Sequence, residues 1–142
     1  MFTYERAVRF EEVDGAGLVF FARFFSYCHE AVEALCRGLD GGYARLIGDR
    51  KTGLPAVHVA CDFKSPLRYG DVAVIQLSVR RIGRSSCELH CTINKGGSGV
   101  VAAEVDYIVA ACDLTSMKPI PIPDDLRRLF TSRSVGAVNE CW

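Results

Sequence analysis

The chain is short of several things, and each shortage narrows what it can do. No apolar run approaches the roughly 20 residues that a membrane-spanning helix needs. The residues after Met1 include Tyr4, Glu5 and Arg6 in place of an apolar leader, so neither a signal peptide nor a membrane span is expected. There is no surplus of either charge: 17 basic residues stand against 17 acidic ones. Nothing therefore draws the whole molecule to nucleic acid or to an acidic membrane, and its ligand must be recognised locally. Histidine occurs only as His29, His58 and His90, and no Cys-x-x-Cys pair is present. Strand alternation turns His90 away from Cys87 and Cys91, so no metal site is expected. The seven cysteines, an odd number scattered through expected strands and helix, read as reduced, buried thiols of a cytoplasmic protein, not as a secreted disulfide framework. None has an activating neighbour in sequence, which leaves a thiol nucleophile unsupported. Gly97-Ser98-Gly99 is a hairpin tip and lacks the strained Gly-x-Ser-x-Gly elbow of a serine hydrolase.

What is present describes one domain over residues 1–142, with a core over about 4–112 and a C-terminal extension over 113–142. With 49% apolar and 24% charged residues, a chain of this length buries roughly two thirds of its unfolded surface. Tyr4, Val8 and Phe10 favour a strand over residues 3–10. From Phe21 to Leu39 the apolar positions Phe21, Phe25, Cys28, Val32, Leu35 and Leu39 recur at helical spacing, widened by Phe24, Ala31 and Cys36. Tyr43, Leu46 and Ile47 predict a further short helical piece. Beyond Gly53 the period changes to two: Val57, Val59, Cys61 and Phe63 form one apolar face, and Ala73 to Val79 and Cys87 to Ile93 alternate likewise. A hairpin at 95–99 leads to a strand over 100–111 whose faces are both largely apolar apart from Glu104 and Asp106, so it belongs inside the sheet. Those two acids need partners, such as a strand arginine, or an interface. Pro119, Pro121 and Pro123 predict an extended linker before a short helix over 124–130.

The order is strand, long helix, then four strands joined mostly by tight turns. One wide helical stripe needs an antiparallel sheet curled round it, which is an α+β architecture, and the absence of long crossovers excludes a doubly wound nucleotide-binding fold. Exposed sheet edges in so small a unit predict a homo-oligomer.

The most chemically suggestive stretch runs from Glu12 to Phe25. It sets a lone carboxylate, Asp14, between a short strand and the start of the long helix, with Gly15 and Gly17 loosening the backbone between them. A helix start offers unpaired amides and a positive dipole end, which polarise a carbonyl and stabilise an anion. A carboxylate beside such a site is half of an acyl-transfer centre. The plain alternative is that Asp14 caps the helix, which is worth about 1 kcal/mol; a cap, however, sits one to three residues from the amides that it satisfies.

Two motifs, Val8-Arg-Phe-x-x-x-Asp14-x-x-Gly17-x-Val19-Phe20-Phe21 and Asp62-Phe63-x-x-Pro66-Leu67-x-Tyr69-Gly70-Asp71, together with the element order over residues 4–112, resemble the hotdog-fold acyl-CoA thioesterases of the 4-hydroxybenzoyl-CoA thioesterase family. The resemblance implies a curled five-stranded antiparallel sheet wrapped round one long helix and an active site at a subunit interface, in a tetramer built from dimers. It implies Asp14 as the catalytic carboxylate, nucleophile or base; the backbone amide of Phe21 as the group that polarises the thioester carbonyl; and Gly17 as a shaper of the loop. The hydroxybenzoyl branch commonly has tyrosine at the Phe21 position, and a related bacterial branch has histidine, so a side-chain role there is missing and the acyl group stays open.

Around this centre, Phe20, with Phe21, Phe24 and Phe25, supplies either a flat apolar pocket or simply helix core. His29 and Glu30 either meet the acyl group or a neighbouring subunit, or are solvated. Arg81 and Arg84, in the turn between two strands, either grip the phosphates of coenzyme A or are a solvated basic hairpin. No cofactor is implied, since coenzyme A is part of the substrate. The expected activity is hydrolysis of an acyl-CoA, aroyl-CoA favoured, with 4-hydroxybenzoyl-CoA as the type. Thioesterases for short aliphatic or carrier-protein-bound acyl groups, and a non-catalytic acyl-CoA-binding module that would have no need of Asp14, are the alternatives.

Overall fold

The computed structural model describes residues 1–134; residues 135–142 of the expected C-terminal extension lie outside the described residues. The elements are β1 (Phe2–Ala7), α1 (Phe21–Leu35), α2 (Gly42–Gly48), β2 (Thr52–Gly53), β3 (Ala56–Phe63), β4 (Val72–Ile82), β5 (Ser86–Lys95), β6 (Val100–Ala110), β7 (Cys112–Asp113) and α3 (Asp124–Thr131). Five strands form one antiparallel sheet in the order β1-β4-β5-β6-β3, and β2 pairs with β7 in a small ladder beside it. The period of two places Ala73, Ile75, Leu77 and Val79 of β4, Cys87, Leu89, Cys91 and Ile93 of β5, and Ala103, Val105, Tyr107 and Val109 of β6 on one buried face. That face receives Phe24, Tyr27, Cys28, Ala31, Val32 and Leu35 of α1.

The helical period is right but its core stripe is shifted. Phe21 is 58% exposed, its ring meeting Phe63 of β3 only edge-on at 6.4 Å, whereas Tyr27, outside the expected stripe, is fully buried. The helix ends at Leu35 and passes into a 3-10 turn, Cys36–Gly38, which still delivers Leu39 to the core. Phe10 is not in a strand either. It sits in a 3-10 turn, Phe10–Glu12, and is 74% exposed.

Among the described residues β3 pairs only with β6 and is an edge. Its apolar residues are left largely uncovered by the other described residues, Val57 being 62% and Phe63 50% exposed. β6 lies inside the sheet, as the composition of its faces predicted. The proline segment returns the chain so that Ile122, Leu126 and Phe130 close the far end of the core. There α3 is tied down by a two-pronged Arg50–Asp125 pair at 2.7 and 2.9 Å and by Arg127, which donates to the Gly83 carbonyl at 2.8 Å.

Candidate active site

The approach to Asp14 begins with an inward-facing arginine. Alternation along β1 turns Tyr4, Arg6 and Val8 toward the helix, and a guanidinium at 8% exposure has to be paired. Arg6 donates to the Glu12 carboxylate and, through Nε and Nη2 at 3.0 Å each, to Glu30, and its guanidinium lies 4.4 Å over the Tyr27 ring. Glu12, 4% exposed, also accepts from the Arg9 amide at 2.8 Å and the Tyr27 hydroxyl at 3.0 Å. Burial raises the Glu12 carboxyl's pKa, but the Arg9 amide, Arg6 and Tyr27 outweigh it, and the net effect is below the usual carboxylate range. Burial, reinforced by Glu12, pushes the Tyr27 phenol up. Sequence reading missed this cluster; the inward register of Arg6 on β1 was the available signal.

Glu12 anchors the turn that follows. Its carbonyl accepts from the Phe20 amide at 2.9 Å, and Val13 pairs with Val19, so residues 14–18 close as a small loop. Within it the Asp14 amide donates to the Leu18 carbonyl at 2.7 Å and the Gly17 amide to the Asp14 carbonyl at 3.0 Å. Gly17 has φ +80°, a conformation that glycine adopts without strain. One carboxylate oxygen of Asp14, Oδ1, accepts from the amides of Ala16 at 2.9 Å and Leu18 at 3.2 Å. The side chain is thereby held with Oδ2 unpartnered among the described residues and the residue exposed. Asp14 does not cap α1: the residue at that position is Phe20, in extended geometry and with no side-chain cap bond.

The Phe21 amide, first in α1, has no acceptor among the described residues and stands at the positive end of a 15-residue helix. Beside it runs a groove of about 300 Å³ lined by Leu18, Phe21, Phe24, Phe63, Lys64 and Pro66. Phe63 presents its ring edge-on to Phe24 at 5.3 Å and to Phe21 and Phe25 at 6.4 Å. Lys64, paired with Glu104 at 2.8 Å, forms the polar rim. A fixed carboxylate, an unsatisfied amide and a flat apolar groove are the parts needed to hold a planar acyl group, polarise its carbonyl and attack it.

The other expected residues divide. Phe20, 46% exposed, rests against Phe21 with centroids 4.8 Å apart and is not in the core. His29 is exposed, bonded to Glu33 at 3.0 Å and edge-on to Tyr43 at 5.5 Å, on the helix face two turns beyond Phe21. Arg81 and Arg84 line a separate cavity of about 440 Å³ in the β4–β5 turn. The Asp14 turn is tied to the start of β4, Val8 bonding Asp71 and Val19 bonding Leu67. The two arginines therefore stand a strand's length away, roughly 30 Å, and within one chain they are not brought to Asp14. Glu104 and Asp106 have the structural partners expected of them: Lys64 for the first, and His90 at 2.6 Å with Arg80 at 3.3 Å for the second.

Known proteins share the fold. The model of the thioesterase-like superfamily matches residues 8–130. A 1,4-dihydroxy-2-naphthoyl-CoA hydrolase from Nostoc punctiforme is 31% identical over 125 residues, 88% of this chain and 83% of that protein. Among solved structures, a 1,4-dihydroxy-2-naphthoyl-CoA thioesterase from Synechocystis superposes with a TM-score of 0.83 at 28% identity, covering 91% of this chain and 94% of that one. A gentisyl-coenzyme A thioesterase superposes with a TM-score of 0.80 at 30% identity, covering 88% and 98%. The sheet curled about α1 is the hotdog fold.

Proposed function

The chain belongs to the thioesterase-like superfamily, and we propose on that premise that it hydrolyses an aroyl-CoA thioester to the free acid and coenzyme A. The observation that carries the reading is the pairing of the Asp14 turn with the unpartnered Phe21 amide beside an aromatic groove. The thioester carbonyl oxygen accepts from the Phe21 amide, where the helix dipole stabilises the charge that develops on it. Asp14 Oδ2 then either adds to the carbonyl carbon or takes a proton from the water that adds. On the first route the C–S bond breaks as the Asp14 C–O bond forms, and water then hydrolyses the resulting mixed anhydride to the free acid and the Asp14 carboxylate. On the second the water oxygen forms the C–O bond as the C–S bond breaks, and on both the thiolate takes a proton given up by the water and leaves as the thiol of coenzyme A. Gly17 holds the loop shape, and Phe20 packs against Phe21, which lines the groove. No cofactor takes part. The relatives named above act on dihydroxynaphthoyl and gentisyl groups, so a hydroxylated aroyl group is the favoured substrate, with 4-hydroxybenzoyl one member of that class.

The uncovered β3 edge supports a dimer in which two β3 strands pair and each protomer walls the other's groove, with a tetramer of two such dimers as the larger assembly. Arg81 or Arg84 meets coenzyme A phosphates only as part of such an assembly. The free cysteines Cys28, Cys36, Cys61, Cys87, Cys91 and Cys112 support a reducing, cytoplasmic location. The test is chromatographic detection of free coenzyme A from benzoyl-, hydroxybenzoyl-, phenylacetyl-, acetyl- and hexanoyl-CoA with the native protein and with Asp14→Asn, alongside light scattering for the assembly. An aroyl preference and a loss of at least a thousandfold in kcat for Asp14→Asn are expected. Binding of acyl-CoA without turnover by the native protein would replace hydrolysis with the acyl-CoA-binding reading.

A further inference from the structure

Glu30, for which the sequence allows a substrate contact, a subunit contact or solvent, is engaged within the chain. Its carboxylate accepts from the Tyr4 hydroxyl at 2.9 Å and from Nε and Nη2 of Arg6 at 3.0 Å each. The remaining Arg6 nitrogen, Nη1, donates to the Glu12 carboxylate and to the Ala7 carbonyl, the latter at 3.0 Å. One planar guanidinium therefore bridges a carboxylate just before the Asp14 turn and a carboxylate in the middle of α1. A lysine ammonium, a single point of charge, has no second edge with which to do this.

The chemistry proposed above needs the Asp14 carboxylate and the Phe21 amide in fixed register, to within about 0.5 Å. Most of the bonds around Asp14 do not supply that register. The Phe20 amide on the Glu12 carbonyl and the Val13–Val19 bridge close the turn on itself, and Asp14 Oδ1 bonds only within it. The bonds from Val8 to Asp71 and from Val19 to Leu67 fasten its flanks to the segment before β4. Among the described residues, the hydrogen bonds that lead from residues 9–19 to α1 all pass through the Glu12 carboxylate. One comes straight from the Tyr27 hydroxyl at 3.0 Å, and the other path runs through Arg6 to Glu30. A single bond to Tyr27 is a pivot. A second, offset connection turns the pivot into a clamp, and Arg6 further stacks 4.4 Å over the Tyr27 ring.

We infer that Arg6 and Glu30 are positioning residues for the reaction: through Glu12 they lock the Asp14 turn against α1 and so set the carboxylate against the Phe21 amide. The inference rests on the reading of those two groups as the catalytic pair and deepens it. Neither residue lines the aromatic groove, so substrate binding is left to other side chains and the clamp acts on kcat. A displacement of 1 Å between reacting groups can cost about a hundredfold in rate.

The test measures kcat and KM on the aroyl-CoA that the native protein turns over best, at a temperature where circular dichroism shows every variant folded. Arg6→Lys keeps the charge and loses the fork. Glu30→Ala leaves the turn and Glu12 intact and removes the helix-side anchor from a partly exposed position, which the fold tolerates more readily. Arg50→Ala, which breaks an ion pair at α3, is the control. Both clamp variants should lose tenfold or more in kcat with KM within about twofold of native, and the double variant should lose little more than the worse single one. Arg50→Ala should keep the native kcat. In the ligand-free proteins, nitrogen-15 relaxation reads the turn directly: order parameters over residues 14–18 should fall from about 0.85 to below about 0.6 in both clamp variants and stay high in Arg50→Ala. A smaller loss of kcat in either clamp variant, a loss that appears in KM instead, or a turn that stays rigid overturns the inference. If the native protein hydrolyses no ester, the hydrolysis reading fails by itself, and the order parameters still decide whether Arg6 and Glu30 hold the turn.

Discussion

Replacing Glu12 by glutamine keeps the side chain's shape and removes its charge from a nearly closed site. The carboxylate oxygen that changes accepts three bonds, from Arg6, the Arg9 amide and the Tyr27 hydroxyl. A charge-assisted bond contributes about 1 kcal/mol more than a neutral one, so three of them amount to a loss of about 3 kcal/mol. The cost of removing one partner from a buried ion pair, about 3–5 kcal/mol, meets that figure at its lower end, because Arg6 keeps its two bonds to Glu30. For a chain of this size the expected fall in Tm is about 10 °C. The pH dependence is the sharper check. The folded-state pKa of Glu12 is depressed, so its contribution to stability is fully present above the unfolded carboxyl range and is lost as pH falls through the folded value. The gap between native and Glu12→Gln proteins, measured by thermal unfolding at fixed protein concentration, should thus be full at pH 6–8 and shrink toward pH 3. A gap below about 3 °C at pH 7, or one of constant size across the acid range, would refute the assignment of Glu12 as a charged structural anchor.

Other consequences follow from the same contacts. Asp14→Asn should leave Tm within about 2 °C of the native value, since an amide oxygen can still accept from Ala16 and Leu18; loss of turnover with a large loss of stability would move Asp14 from chemistry to folding. Gly17→Ala meets no side chain, yet it forces a β-carbon onto φ +80°. A destabilisation of about 1–2 kcal/mol is expected, with a drop in kcat larger than that in any equivalently destabilised core variant; unchanged kcat would show that the loop shape is irrelevant to the site. Arg50→Ala removes a half-exposed pair that joins the chain before β2 to α3. Its cost should be at most about 1 kcal/mol and should shrink in high salt, which denaturant titration at two ionic strengths would read.

Much of this molecule was legible in local pattern. The change of period from 3.6 to two near residue 54 separates α1 and α2 from the sheet, and the glycine and proline positions mark its turns. The Asp14 loop is equally local: the carboxylate, the amides that hold it and the glycine that bends the chain all lie within five residues, 14 to 18. Short-range hydrogen bonding and side-chain periodicity act over a few residues, and a sequence displays them directly.

What the tertiary structure decided depends on distance along the chain. Arg6 finds Glu30 24 residues away, and Tyr27 finds Glu12 across 15, so neither the buried ion cluster nor the burial of Tyr27 has a local signature. The free edge of β3 and the remoteness of Arg84 from Asp14 follow from where the sheet begins and ends, and the exposure of Phe21 from the few rings that meet it. Tyr107 occupies an alternating position like those of Val105 and Val109, yet only its surroundings leave its hydroxyl without a partner. Alternation assigns a residue to a face, but whether a polar atom on that face is satisfied depends on side chains that the fold gathers from several elements.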